Sequence, residues 1–184
     1  MQNKRKIVLI SIAFVLIIAI AVLSYDYIGG KYSETKSQQE TSKEANMAPD
    51  FTVLNSDGTE VAFSDFVGKP IIINFWASWC GPCVSEMPVF DKIYKELGDE
   101  VVFLMVNLTD GSRETITSAK NFVQKGGYSF PIYFDTKYSA ATVYGVSSIP
   151  ATVFIDADGV IKESYLGAMT EATFRSKLMS IYND

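Results

Sequence analysis

The chain has 184 residues, 48% of them hydrophobic and 13% aromatic, which is material for one packed domain with an appendage. It contains no histidine, so Ser-His-Asp and Cys-His catalysis, His-ligated zinc and the usual histidine general base are excluded. Of the formal charge of −5, residues 1–28 carry +2 (Lys4, Arg5 and Lys6 against Asp26), leaving −7 on the remainder; so acidic a body without a basic patch argues against a nucleic-acid partner.

Lys4-Arg5-Lys6 precedes Ile7 to Leu23, seventeen uncharged residues with Ser11 the one polar side chain. The run is at the short end for a membrane-spanning helix, and Tyr25, Tyr27 and Ile28 extend it with residues suited to the membrane–water interface. The basic cluster predicts an N-terminus left in the cytoplasm and a body outside. A cleaved signal peptide is the competing reading. Ala19-Ile20-Ala21 has the small-x-small pattern, but it lies inside the apolar run rather than after it. Either reading exports the body to a compartment that permits disulfides. Gly29 to Asn46 is polar, with almost nothing to bury, and is expected to be a flexible spacer. The chain thus divides into a cytoplasmic tip and membrane anchor (1–28), a linker (29–46) and a domain (47–184).

In the body, Phe51–Leu54 and Val61–Phe63 flank Asn55-Ser-Asp-Gly58, the pattern of a hairpin. Ile71–Trp76 is a continuous apolar run, as in a strand buried on both faces. From Cys80 the spacing turns helical, with Cys83, Met87, Phe90, Tyr94 and Leu97 on one face. A second buried strand follows over Val101–Leu108, then a helix containing Phe122 and Val123, and a short extended piece over Phe130–Phe134. Ala151–Ile155 and Val160–Tyr165 flank Asp156-Ala-Asp-Gly159 as a second hairpin, and a helix starting near Thr170 closes the chain. Strands alternating with helices and ending in a hairpin predict an α/β fold, a mixed sheet between helices.

The two cysteines, Cys80 and Cys83, are separated by two residues. A disulfide closing so short a loop restricts the unfolded chain little, so the pair points to chemistry rather than stapling. Two thiolates fill only half of a tetrahedral zinc site, and a metal would require two chains to share four cysteines; no metal or cofactor is expected. Cys80 sits at the N-terminus of the predicted helix, where free N–H groups and the positive end of the dipole favour a thiolate. Cys83, nearly one turn later and more buried, is placed to resolve a mixed disulfide on Cys80. Pro82 in the first turn costs no hydrogen bond. The spacing predicts an exposed attacker and a buried resolver.

The segment Phe75-Trp-Ala-Ser-Trp-Cys-Gly-Pro-Cys83 is similar to the active-site signature of thioredoxins, and residues 47–170 resemble more closely the membrane-anchored TlpA/ResA branch of the thioredoxin-like superfamily. The likeness rests on Ala48-Pro-Asp-Phe51, Gly68-Lys-Pro70, Asn74-Phe-Trp-Ala77, Cys83-Val-Ser-Glu86-Met-Pro88 and Gly145-Val-Ser-Ser-Ile-Pro150. It implies a thioredoxin-like fold with an N-terminal β-hairpin extension, and thiol–disulfide exchange at Cys80 and Cys83. Pro150, after Ile149, matches the family's cis-proline, which helps dock substrate backbone; the docking surface would comprise Trp79, Gly81, Pro82, Ile149 and Pro150. Asn74 stands where cytoplasmic thioredoxins keep a buried aspartate, and an amide cannot shuttle a proton. Glu86 matches a glutamate typical of this branch and would replace that aspartate as proton relay if burial raises its pKa; otherwise it is a solvated helix carboxylate.

The opening Ala-Pro-Asp-Phe also occurs in peroxiredoxins, but a peroxidatic site needs Pro and Thr seven and three residues before its cysteine, where this chain has Ile73 and Ala77. A copper-delivery module of the same fold would add a histidine. Gly81-Pro82 between the cysteines resembles the dipeptide of reducing thioredoxins. The resemblance therefore implies a reductase of exported disulfide-containing proteins, with apocytochrome c the family's leading example, supplied with electrons by a membrane-embedded thiol donor. A disulfide-donating oxidase of the same fold is the alternative.

Overall fold

The strand Ile71–Trp76 (β3) is the centre of the fold, and each of its six residues is buried. Successive side chains of a strand point to opposite faces. Ile72 and Trp76 enter one apolar cluster, while Ile71, Ile73 and Phe75 enter another on the other side. A sheet covered on both faces explains why this run lacks polar alternation. The computed structural model describes residues 46–182, with 14, 16–21 and 23–25.

Seven strands form one sheet: β1 (Thr52–Leu54), β2 (Glu60–Ala62), β3, β4 (Val102–Asn107), β5 (Ile132–Phe134), β6 (Ala151–Ile155) and β7 (Ile161–Leu166), in the order β2-β1-β5-β4-β3-β6-β7. β3 runs parallel to β4, Ile73 opposite Leu104, and β4 runs parallel to β5. Parallel neighbours need long crossovers. Helix α1 (Gly81–Leu97) supplies the first and α2 (Ile116–Gly126) the second. The hairpin β6–β7 adds antiparallel to β3, with Thr152 opposite Asn74. The predicted hairpin β1–β2 extends the other edge, Leu54 pairing with Phe134. The sheet is therefore mixed and flanked by helices, the thioredoxin-like architecture that the sequence resemblance implies.

On one face, α1 buries Cys83, Met87, Phe90 and Ile93, and helix α4 (Glu171–Leu178) buries Phe174 and Leu178. Phe174 meets Phe90 edge-on at 4.8 Å between ring centroids and Phe154 at 5.6 Å, locking α4 to α1 and the sheet. Of the helix face predicted to point inward, Tyr94 and Leu97 are only partly buried, while Glu86, Asp91 and Ile93 are buried in addition. On the other face lie Phe51, Val53 and Phe63, with helix α3 (Ser139–Val143) contributing Ala140. Helix α3 and the 3-10 turn over Phe63–Phe66 are not among the elements that the sequence pattern predicts.

Of the N-terminal unit, Met1–Ala45, the described residues are helical, and Ser24 Oγ donates back to the carbonyls of Ile20 and Ala21. Among the described residues no helix is long and apolar enough to cross a membrane. Much of the run Ile7–Leu23 on which the anchor expectation rests, and the predicted linker up to Ala45, lie outside the described residues.

Candidate active site

β3 ends at Trp76, and a tight turn closed by the Cys80 N–H donating to the Ala77 carbonyl leads into α1. Cys80 is the N-cap of that helix, its backbone still extended (φ −83°, ψ 104°), and its carbonyl accepts the first helical bond from Val84 N. Cys80 and Cys83 form a disulfide with Cα atoms 5.2 Å apart. The Cys83 N–H donates to Cys80 Sγ at 3.2 Å, one of the free helix-terminal donors turned on the sulfur. The same bond and the helix dipole would stabilise a Cys80 thiolate once the disulfide is opened.

The expectation of an exposed attacker needs correction. Cys80 is only 5% exposed and Cys83 fully buried. What is exposed is the rim around Cys80, namely Trp79, at 42%, with Gly81 and Pro82. Tertiary packing around the turn, not the N-cap position itself, holds Cys80 beneath that rim, where its sulfur lines a groove. The groove holds about 590 Å3 and is lined by Trp79, Cys80, Pro82, Arg113, Tyr138 and Ile149, among others. The Ile149–Pro150 peptide is cis. The Ile149 carbonyl oxygen lies 3.7 Å from Cys80 Sγ, where it can accept from the Cys80 thiol in the dithiol form. Trp76, by contrast, is fully buried.

Behind Cys83, Glu86 follows at i+3 on α1, the spacing that makes helix neighbours. It is 1% exposed. Its Oε1 accepts from Asn74 Nδ2 at 2.9 Å and its Oε2 from Met169 N at 3.0 Å. Burial disfavours the carboxylate and outweighs these two bonds, so its pKa is pushed up to about 7. Asn74 Nδ2 also donates to Thr152 Oγ1 at 3.0 Å, while Asn74 Oδ1 is buried without a partner. Turning this amide end for end would present Oδ1 to a protonated Glu86, so the site can hold either state of the carboxyl.

Glu114 is a second buried glutamate at the site, one that the sequence pattern does not predict. Glu114 Oε2 accepts from both Ser78 N (3.0 Å) and Ser78 Oγ (2.8 Å), and its Oε1 accepts from Asn107 Nδ2 and Ser118 Oγ. It ties the turn before the cysteines to the loop after β4. The adjacent Arg113 stacks its guanidinium on Trp79, Cζ 3.5 Å from the ring centroid. Both contacts join positions more than thirty residues apart, and no local pattern signals them. Among the described residues no group of three or more His, Cys, Asp or Glu side chains could hold a metal.

The Cys80–Cys83 disulfide thus stands at a helix N-terminus, beside a cis-proline in a thioredoxin-like sheet. The redoxin family profile matches residues 43–178. The chain belongs to the redoxin family. Within it, this redoxin is 34% identical over 158 residues to the thioredoxin-like protein YneN of Bacillus subtilis, covering 85% of this chain and 92% of that one. It is 32% identical over 170 residues to the thiol–disulfide oxidoreductase ResA of Bacillus thuringiensis, covering 91% of this chain and 92% of ResA. Among solved structures, the exposed lipoprotein thioredoxin of Streptococcus pneumoniae superposes with a TM-score of 0.62 at 32% identity, over 71% of this chain and 98% of that one. With the Cys80–Cys83 pair at bonding distance, this redoxin is a ResA-like thiol–disulfide oxidoreductase.

Proposed function

We propose that the chain reduces disulfides in exported proteins, on the outer side of the membrane, to which its N-terminal segment (1–28) anchors it through the linker 29–46. The observation that carries this reading is the arrangement around one sulfur: Cys80 at the head of α1 under an exposed rim, Cys83 behind it, and the buried Glu86 beyond. The extracytoplasmic address rests on the basic cluster before an apolar run, together with a working pair that cycles through a disulfide.

In the reaction, the Cys80 thiolate attacks one sulfur of the substrate disulfide. An S–S bond forms to Cys80, the substrate S–S bond breaks, and the first substrate sulfur leaves as a thiolate. Cys83 gives its proton to the Glu86 carboxylate, half ionised near neutrality, and attacks Cys80 Sγ. The mixed disulfide breaks, and the second substrate sulfur leaves and takes up a proton. The protein ends as the Cys80–Cys83 disulfide and the substrate as a dithiol, two electrons having moved. A membrane-embedded dithiol carrier restores the reduced pair. Trp79, Gly81, Pro82, Ile149 and Pro150 form the surface on which substrate backbone lies, and apocytochrome c before haem attachment is a substrate of the required kind.

The test uses the purified full chain with Cys83→Ser, mixed with a disulfide-bonded protein and analysed by mass. The variant is expected to accumulate a mixed disulfide through Cys80, whereas Cys80→Ser forms none. A trapped adduct on Cys83 in the C80S protein, equal in amount, would reverse the roles.

A further inference from the structure

The groove beside Cys80 carries two charged side chains, Asp110 and Arg113, on an otherwise apolar and hydroxyl-bearing wall. They are not equivalent. Asp110 Oδ1 accepts from Ser112 N (2.7 Å), Ser112 Oγ (3.3 Å) and Glu114 N (2.9 Å), so this carboxylate folds its own loop. Arg113 is exposed, its flat face spent on Trp79, and it forms no ion pair among the described residues. Stacking of a guanidinium on an aromatic face leaves its N–H edges pointing outward in a fork that fits a carboxylate.

The placement is also held in advance. Arg113 precedes Glu114 and Trp79 follows Ser78; Glu114 and Ser78 are joined by two hydrogen bonds. The Arg113–Trp79 stack is therefore the next rung of a ladder whose first rung ties the half-buried Ser78 to the buried Glu114, which limits the side-chain freedom left to be lost on binding. On a body of net negative charge, this cation stands in the wall that a substrate must touch.

We propose that Arg113 is a specificity-determining residue, selecting substrate segments with an Asp or Glu carboxylate close to the reacting cysteine. The proposal rests on the reading of this groove as the docking site for a disulfide substrate. The recognised feature is a single local carboxylate rather than an acidic partner, because the negative body repels a partner of the same sign at long range.

The test compares two peptide disulfides identical except for Glu or Gln beside the cysteine, reduced by the pre-reduced full chain in quenched single turnovers. Each rate is divided by the same peptide's rate with dithiothreitol, which removes the carboxylate's intrinsic effect on its own disulfide. The native protein is expected to favour the Glu peptide by about threefold at low salt, the scale of one exposed charge pair, with the preference fading towards unity as salt rises. Arg113→Gln is expected to bring the ratio to about one, and Arg113→Lys, which keeps the charge without the fork, to an intermediate value. A native ratio at or below one, or a ratio unchanged in R113Q, overturns the proposal. If the native protein reduces neither peptide, the reductase reading of the groove falls first and this assignment falls with it.

Discussion

Glu86 is the residue whose physics can be separated most cleanly from the cysteines. Desolvation lifts its carboxyl to about 7, against the opposing hydrogen bonds from Asn74 and Met169 N. Between the unfolded value of 4.5 and about 7, the folded protein keeps a proton that the unfolded chain releases. The stability contributed by this group is therefore complete below about pH 4.5 and is lost as pH rises through about 7. Glu86→Gln removes the titration. Urea unfolding of the oxidised proteins should show the native form losing on the order of 3 kcal/mol relative to E86Q across this window, at 1.36 kcal/mol per pKa unit. In the reduced protein the same residue should appear kinetically. The step in which Cys83 resolves the mixed disulfide should bend near pH 7 in the native enzyme, with the bend absent and the rate about tenfold lower or more in E86Q. An unchanged pH profile in E86Q would leave Glu86 a buried structural carboxyl.

At the scale of elements, two attachments position the cysteines: the aromatic packing of α4 against α1, and the Glu114 link between the turn before Cys80 and the loop after β4. Phe174→Ala empties a site enclosed by Phe90, Phe103 and Phe154 and should cost about 3–5 kcal/mol, read as a lower denaturant midpoint. Glu114→Ala strips partners from Ser78, Asn107 and Ser118. It should cost about 2–3 kcal/mol and weaken the near-ultraviolet dichroism of Trp79, as the turn that presents it loosens. Legibility in the sequence follows the range of the contacts. β3 and α1 are legible because an apolar run and a period of 3.6 are local signals. Helix α3 is not, having five residues and only Ala140 and Ala141 buried. Its N-cap, Tyr138, lies in the left-handed region (φ 55°), and its backbone is held by Asp135, whose Oδ2 accepts from Ala141 N. Cys80, Cys83 and Glu86 stand out because they follow one another at three-residue spacing along the start of one helix. Arg113 and Glu114 reach the site only through the sheet's crossover, and Cys80's burial comes from tertiary packing that spacing does not encode.

For the whole molecule, the sequence and the fold describe a thioredoxin-like body, with an acidic surface and a redox pair set in a groove. The redox pair supplies the chemistry, and the N-terminal segment is proposed to supply the address. The direction of electron flow is the property of the entire protein, since it depends on how far folding favours the disulfide over the dithiol. A reductase must hold its electrons loosely enough to pass them to substrate disulfides, so its own disulfide must be the more stable product. The most direct measurement is the midpoint potential of the Cys80–Cys83 couple in the full chain, equilibrated in redox buffers and read by mass after trapping free thiols. A reductase is expected to give a value near or below about −250 mV, close to that of thioredoxin. A value near about −120 mV would contradict that reading and make the protein a donor of disulfides to its partners.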